Sequence, residues 1–223
     1  MRFLMLAFAA LTLGACDQVY SRTPLISEAR EQGDPELRPG LWQLAGYQDP
    51  ACQFDIRQPT FRWPECAAGA EYQRGQWWLV SRQNRLLAQT VRLTEADPAQ
   101  PGLQVLAQSH FSADVFADPR IRPPQTADNP MFGWTYAALT VVKTDAAARI
   151  VEAKVIQPRC GPVQPAQLKD GAFTAKAGAY KTYPGLTLVG TACAAKDLDT
   201  IKAALKLSGD SEPRTIRWLR DRP

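Results

Sequence analysis

The sequence predicts a mainly β fold (α+β): an antiparallel sheet, sandwich or barrel of about seven to eight strands with one C-terminal helix. Strand-length runs alternate apolar and polar residues, most plainly where Val151, Ala153 and Val155 alternate with Glu152 and Lys154. That period of two is what a sheet with one buried face requires. Two pairs of such runs flank short segments, residues 82–84 and 144–148, at hairpin spacing. Helical periodicity bounded by a cap and a stop is well developed in one stretch, just before Gly209. Alternation alone leaves sandwich, barrel and open sheet as alternatives.

Taken in chain order, the first strand is expected over residues 41–47, directly after the Pro39-Gly40 break. Residues 76–81 and 85–93 form the first hairpin, and residues 103–109 a further strand. Residues 134–143 and 149–156 form the second hairpin, around a slightly long loop. Asp197 is placed to cap a helix whose Leu198, Ile201 and Leu205 share one face, with Asp199 in its first turn and Lys202 and Lys206 toward its end. Residues 215–219 supply a closing strand. Residues 114–130 carry Pro119, Pro123, Pro124 and Pro130 and read as a long surface loop or a linker. Before residue 40, the polar residues 21–24, one or two helical turns over residues 27–32 and the Asp34-Pro35 break suggest a tether. The chain therefore divides into a leader (1–15), a tether (16–39) and a single β-rich globular domain (40–223).

The leader rests on the opening MRFLMLAFAALTLGAC. Arg2 gives a positive start, residues 3–13 are apolar apart from Thr12, and small Gly14 and Ala15 come next, the layout of a secretory signal peptide. The apolar run is too short to cross a hydrocarbon core, which takes about 20 helical residues. Leu13-Gly14-Ala15-Cys16 resembles the lipobox of bacterial lipoproteins. The resemblance is confined to this opening stretch. It implies cleavage before Cys16, diacylglyceryl transfer to its thiol and acylation, palmitate among the acyl chains, of the freed amine. Two or more chains suffice for stable anchoring, so the expected location is the cell envelope, lipid-anchored to the bilayer and facing the periplasm. Asp17 is the next residue. In enteric bacteria Asp there resembles the signal for inner-membrane retention, and the choice between inner and outer membrane stays open. The rest of the chain resembles small proteobacterial lipoproteins that are functionally uncharacterised.

Cleavage removes Arg2 and takes the formal charge from +4 to +3, too mild a balance to argue for nucleic acid. With Cys16 assigned to lipid, Cys52, Cys66, Cys160 and Cys193 remain. An even number in an exported chain reads as two disulfides, with three pairings open. Cys52–Cys66 with Cys160–Cys193 is favoured because each bond closes a moderate loop within one half of the chain. In the chain-entropy description the two loops contribute about 3 and about 3.8 kcal/mol. A zinc site is disfavoured: no C-x-x-C occurs and His110 is the only histidine.

Motifs for catalysis are sparse. The sequence has no G-x-S-x-G, no phosphate-cradling glycine loop and no H-E-x-x-H. His110 comes directly after Ser109, but neighbours on a strand point to opposite faces. Cys193 precedes the helix, where backbone N–H groups favour a thiolate, yet that use needs Cys160 unpaired and His110 nearby. Neither enzymatic activity nor a cofactor or metal is expected. The stretch that draws attention is residues 62–85, which interleaves Trp63, Tyr72, Trp77 and Trp78 with Arg62, Arg74, Arg82 and Arg85. On a strand over residues 76–81 the two tryptophans face opposite ways. Two readings follow: a sheet covered on both sides with Arg82 at its rim, or a binding surface of Trp78 with Arg74, Arg82 and Arg85, where rings stack on sugars or peptides and arginines meet phosphate or carboxylate. Arg214, Arg217, Arg220 and Arg222 extend such a surface or form a solvated edge. The expected role is non-catalytic binding or assembly at the membrane, with peptidoglycan, lipopolysaccharide or an envelope protein as partner. An envelope hydrolase with a dispersed active site and an inhibitor of a cell-wall-degrading enzyme are the alternatives.

Overall fold

The computed structural model describes residues 18–27, 33–44, 52–82, 85–95, 105–111, 133–162, 168–169, 172–173, 181–190, 192–209 and 213–221. The expected lipidation site Cys16, Asp17, most of the expected residue 27–32 helical turns and the whole proline-rich residue 114–130 loop lie outside them. Eight strands close an antiparallel barrel. They are β2 (Gly40–Leu44), β3 (Ala68–Gln73), β4 (Gln76–Ser81), β5 (Arg85–Glu95), β6 (Val105–Phe111), β7 (Trp134–Thr144), β8 (Ile150–Ile156) and β13 (Arg214–Arg220). Strands β2 to β8 are neighbours in chain order, and β13 returns between β8 and β2. Closure is what removes free sheet edges, and it resolves the choice among sandwich, barrel and open sheet.

Three short strands extend the sheet from β7: β1 (Val19–Ser21), β12 (Ala192–Ala194) and β11 (Thr187–Val189). Strand β7 is longer than β8, so its first residues pair with β1 (Ser21 opposite Trp134) while the rest pair with β8. A separate ribbon joins β9 (Leu168–Lys169) to β10 (Ala172–Phe173). The helix α1 (Leu198–Leu207) forms as the sequence expects: Asp197 caps it by accepting from the Thr200 backbone N–H at 2.8 Å, and its apolar stripe buries Ile201, Ala204 and Leu205.

Alternate residues of the strands fill the barrel. Trp42, Tyr72, Trp77, Leu93, Val105, Leu139 and Ala153 are buried together, with Ile216 and Trp218 packed against them. An eight-stranded barrel is just wide enough for side chains to fill. Trp77 meets Trp42 edge-on at 5.8 Å between ring centroids and Tyr72 at 5.3 Å, arrangements that aromatic quadrupoles favour. One end is plugged by residues 34–39. Leu37 is buried, the Arg38 N–H donates to the Ile150 carbonyl, and the Arg38 guanidinium lies 3.7 Å over the Trp218 ring. Gly40 (φ +130°) ends the plug because a Cβ there would run into the Arg220 carbonyl oxygen.

Two further cores lie on the outside of the barrel, each stapled by one disulfide. The loop before β3 covers the outer faces of β2–β4, where Trp63 packs with Leu41, Ala67 and Val80, and Cys52–Cys66 closes that loop. Against the outer face of β6–β7, α1, Leu186 and the N-terminal Val19 and Ile26 bury Leu106, Tyr136 and Ala138, with Cys160–Cys193 inside the cluster. Both pairings are those favoured from the sequence.

The expected tether is corrected by this packing. Val19, Tyr20 and Ser21 are buried in a strand rather than solvated. Gln108 fastens the chain at Leu25 and Ile26. Its Oε1 accepts from their backbone N–H groups at 2.7 and 2.8 Å, and its Nε2 donates to the Ile26 carbonyl at 3.1 Å. The folded body therefore begins, among the described residues, at Gln18 and not at residue 40. A three-residue strand has too few positions for a period of two to stand out, and its pairing is entirely non-local.

Candidate functional site

The residues expected to form one binding surface are separated by the barrel. Trp63, Tyr72 and Trp77 are buried, which leaves Trp78 as the member of the aromatic set on the outer wall of β4. The guanidinium of Arg85 lies 3.9 Å from the Trp78 ring centroid. It is also held in a two-pronged ion pair by Glu71, Nε to Oε2 and Nη2 to Oε1 both at 3.0 Å, with Gln73 Oε1 at 3.3 Å. Register explains the cluster: Glu71 faces Trp78 across β3–β4, while Arg85 lies opposite Val80 on β5. One arginine thus ties three strands, and one face of the Trp78 ring is taken by the chain's own cation. The indole Nε1–H of Trp78 is buried without an acceptor.

Arg74 and Arg82 are both exposed but stand beyond opposite ends of β4, whose six residues, at about 3.3 Å each, put about 20 Å of strand between them. Arg74 occupies the two-residue turn between β3 and β4, with φ +49° next to Gly75 at +75°. A turn with two positive φ values matches the strand twist but suits Asn-Gly better than Arg-Gly. Beside this turn opens a hollow of about 410 Å³, whose lining includes Glu36, Arg74, Gln76, Thr90 and Trp134. Arg92 also lines it and is ion-paired with Asp34. The hollow was not legible in the sequence, because its walls come from the plug, β3–β6 and the start of β7.

The remaining expectations can be located except for Arg222, which lies outside the described residues. Ser109 and His110 do point apart: the Ser109 hydroxyl pairs with that of Thr135 at 2.8 Å, while the His110 ring packs 4.8 Å from the Trp134 ring. Cys193 is bonded to Cys160. Arg217 is ion-paired with Glu152 at 2.9 Å, Arg220 donates to the Gln58 carbonyl at 3.0 Å, and Arg214 is exposed. Among the described residues no group of three or more His, Cys, Asp or Glu side chains is placed to hold a metal ion. Nor is any helix there long and apolar enough to cross a membrane.

Electrostatic perturbations fall on structural partners. Asp145 is held below the usual carboxylate range by the side-chain hydrogen bond from Arg149, and Glu152 by that from Arg217. The cap Asp197 is lowered by the hydroxyl of Thr200. Burial pushes the Tyr136 phenol upward, against hydrogen bonds to Ser21 and Leu25. The chain matches no protein-family model, no curated protein and no solved structure.

Proposed function

We propose that this chain is an envelope lipoprotein, held to a membrane by acylated Cys16, that acts by binding rather than by catalysis. The observation carrying this reading is the cysteine pairing. Of five cysteines, four are joined to one another as Cys52–Cys66 and Cys160–Cys193, so neither bond draws on Cys16 at the lipobox-like cleavage point. Structural disulfides suit an oxidising compartment such as the periplasm. The barrel interior is filled by its own side chains, so a partner meets the outside. There the hollow with Arg74, Glu36, Thr90 and Trp134 offers charge, hydrogen-bonding groups and an aromatic side chain to a polar envelope component such as peptidoglycan or lipopolysaccharide.

Fractionation of cells carrying the native chain or Cys16→Ser tests the anchor: the native protein stays with membranes and the variant is recovered in the soluble fraction. Equal membrane retention of both would remove the lipid assignment. For binding, the soluble variant is mixed with insoluble peptidoglycan or with lipopolysaccharide micelles, and Arg74→Glu reduces its retention. Release of hydrolysed fragments from either material would replace binding by catalysis.

A further inference from the structure

Among the described residues the hydrogen-bonded body begins at Gln18, two residues after Cys16. Gln18 bridges Arg159, its carbonyl accepts the Cys193 N–H at 2.9 Å, and Val19 is paired with Cys193. Two residues of chain span at most about 7 Å even fully extended. A body anchored at Cys16 therefore cannot stand off from the bilayer, and the face around Gln18 is the one brought against it.

That face carries groups suited to a lipid surface. Among the described residues the exposed large hydrophobic side chains are Phe61, Val142, Leu188 and Leu207, and two of these four lie beside Gln18. Leu188 is opposite Cys193, itself opposite Val19, two strand spacings or about 10 Å from β1. Leu207 ends α1 next to Ser208, whose hydroxyl accepts the backbone N–H of Arg159, the bridge partner of Gln18. Two exposed lysines accompany them, Lys206 on the last turn of α1 and Lys181, whose carbonyl adjoins Gly161 just past Cys160. Phe61 sits in the loop covering the opposite wall, since β3 lies four strands from β7 around the barrel.

We infer that the chain docks directly on an anionic bilayer through this face, Leu188 and Leu207 entering the headgroup region and Lys181 and Lys206 meeting lipid phosphates. Apolar side chains and cations together are what bind peripheral elements to such surfaces. The inference rests on acylation of Cys16, which fixes the distance.

The test separates the two. The unacylated chain starting at Cys16 is coupled through that thiol to a maleimide lipid in vesicles of phosphatidylethanolamine and phosphatidylglycerol, and side-chain oxidation by hydroxyl radicals is read by mass spectrometry. Oxidation of Leu188 and Leu207 falls about threefold or more relative to the uncoupled chain while Phe61 stays unchanged, as expected when half-exposed leucines enter an interface. Leu188→Ser with Leu207→Ser, both at exposed positions, removes the shielding of Lys181 and Lys206 from acetylation. Unchanged Leu188 and Leu207, or an equal fall at Phe61, overturns the docking face. Intact mass of the native protein showing no acyl chain on Cys16 instead overturns the reading beneath it and leaves the vesicle result to stand by itself.

Discussion

Replacing Gln108 by Ala should loosen the N-terminal segment from the barrel and cost the whole fold stability. Gln108 is fully buried on the outer face of β6. Its amide makes four hydrogen bonds: to the N–H groups of Leu25 and Ile26, to the Ile26 carbonyl, and from the Tyr136 hydroxyl at 3.1 Å. Each such bond contributes about 1 kcal/mol net, and each buried group left unpaired costs about 1–3 kcal/mol. Water entering the space recovers part of this, which gives a loss of about 3 kcal/mol, or about 6–12 °C in Tm for a chain of this size. The assay is urea unfolding of the Cys16→Ser protein monitored by tryptophan fluorescence, with exposed Gln58→Ala as a control expected within about 0.5 kcal/mol of the parent. Limited proteolysis of Gln108→Ala should cut first within residues 18–27. A loss below about 1 kcal/mol, or unchanged cleavage there, would refute the claim that this segment belongs to the fold.

Arg85→Ala strips Glu71 and Trp78 of their shared partner and should cost about 2 kcal/mol, more than an exposed ion pair is worth; a double-mutant cycle with Glu71→Gln that shows no coupling contradicts this. Arg74→Asn relieves a positive φ and should stabilise the chain by about 0.5 kcal/mol while weakening peptidoglycan or lipopolysaccharide retention, and a destabilised Arg74→Asn would contradict the turn geometry. Asp145, Glu152 and Asp197 have lowered folded-state pKa values, so their stabilisation is complete above the ordinary carboxylate range and is lost as pH falls below about 4. Tyr136 is raised, so its contribution persists below about pH 10 and disappears above it. Unfolding curves across pH should show both limbs, and Tyr136→Phe should flatten only the alkaline one.

Legibility tracked the range of the interactions. The two hairpins read from alternation became β4–β5 and β7–β8, and α1 was announced by Asp197, its apolar stripe and Gly209. The second hairpin loop is self-sufficient: Asp145 Oδ1 accepts from the N–H groups of Ala147 and Arg149. Strand β3 escaped notice because Ala-Gly-Ala-Glu is a poor strand sequence. Gly69 is there to leave room for the Trp63 ring, which lies 3.0 Å from where a Cβ would be, and that requirement is tertiary. Strands β1, β11 and β12 are three residues each, too short to show a period. The arginine–tryptophan pattern marked real chemistry at Trp78 and Arg85, but composition could not say that Glu71 already occupied Arg85. What places Arg74 and Arg82 apart is strand direction, which emerges only once β4 is known.

The most direct test of an anchored, stapled envelope protein is intact mass and peptide mapping of the chain extracted from membranes, with and without reduction. The expected result is an amino-terminal peptide beginning at Cys16 with acyl mass, and two linked peptide pairs, Cys52 with Cys66 and Cys160 with Cys193. A chain beginning elsewhere, an unmodified Cys16 thiol, or free thiols at Cys160 and Cys193 would contradict it.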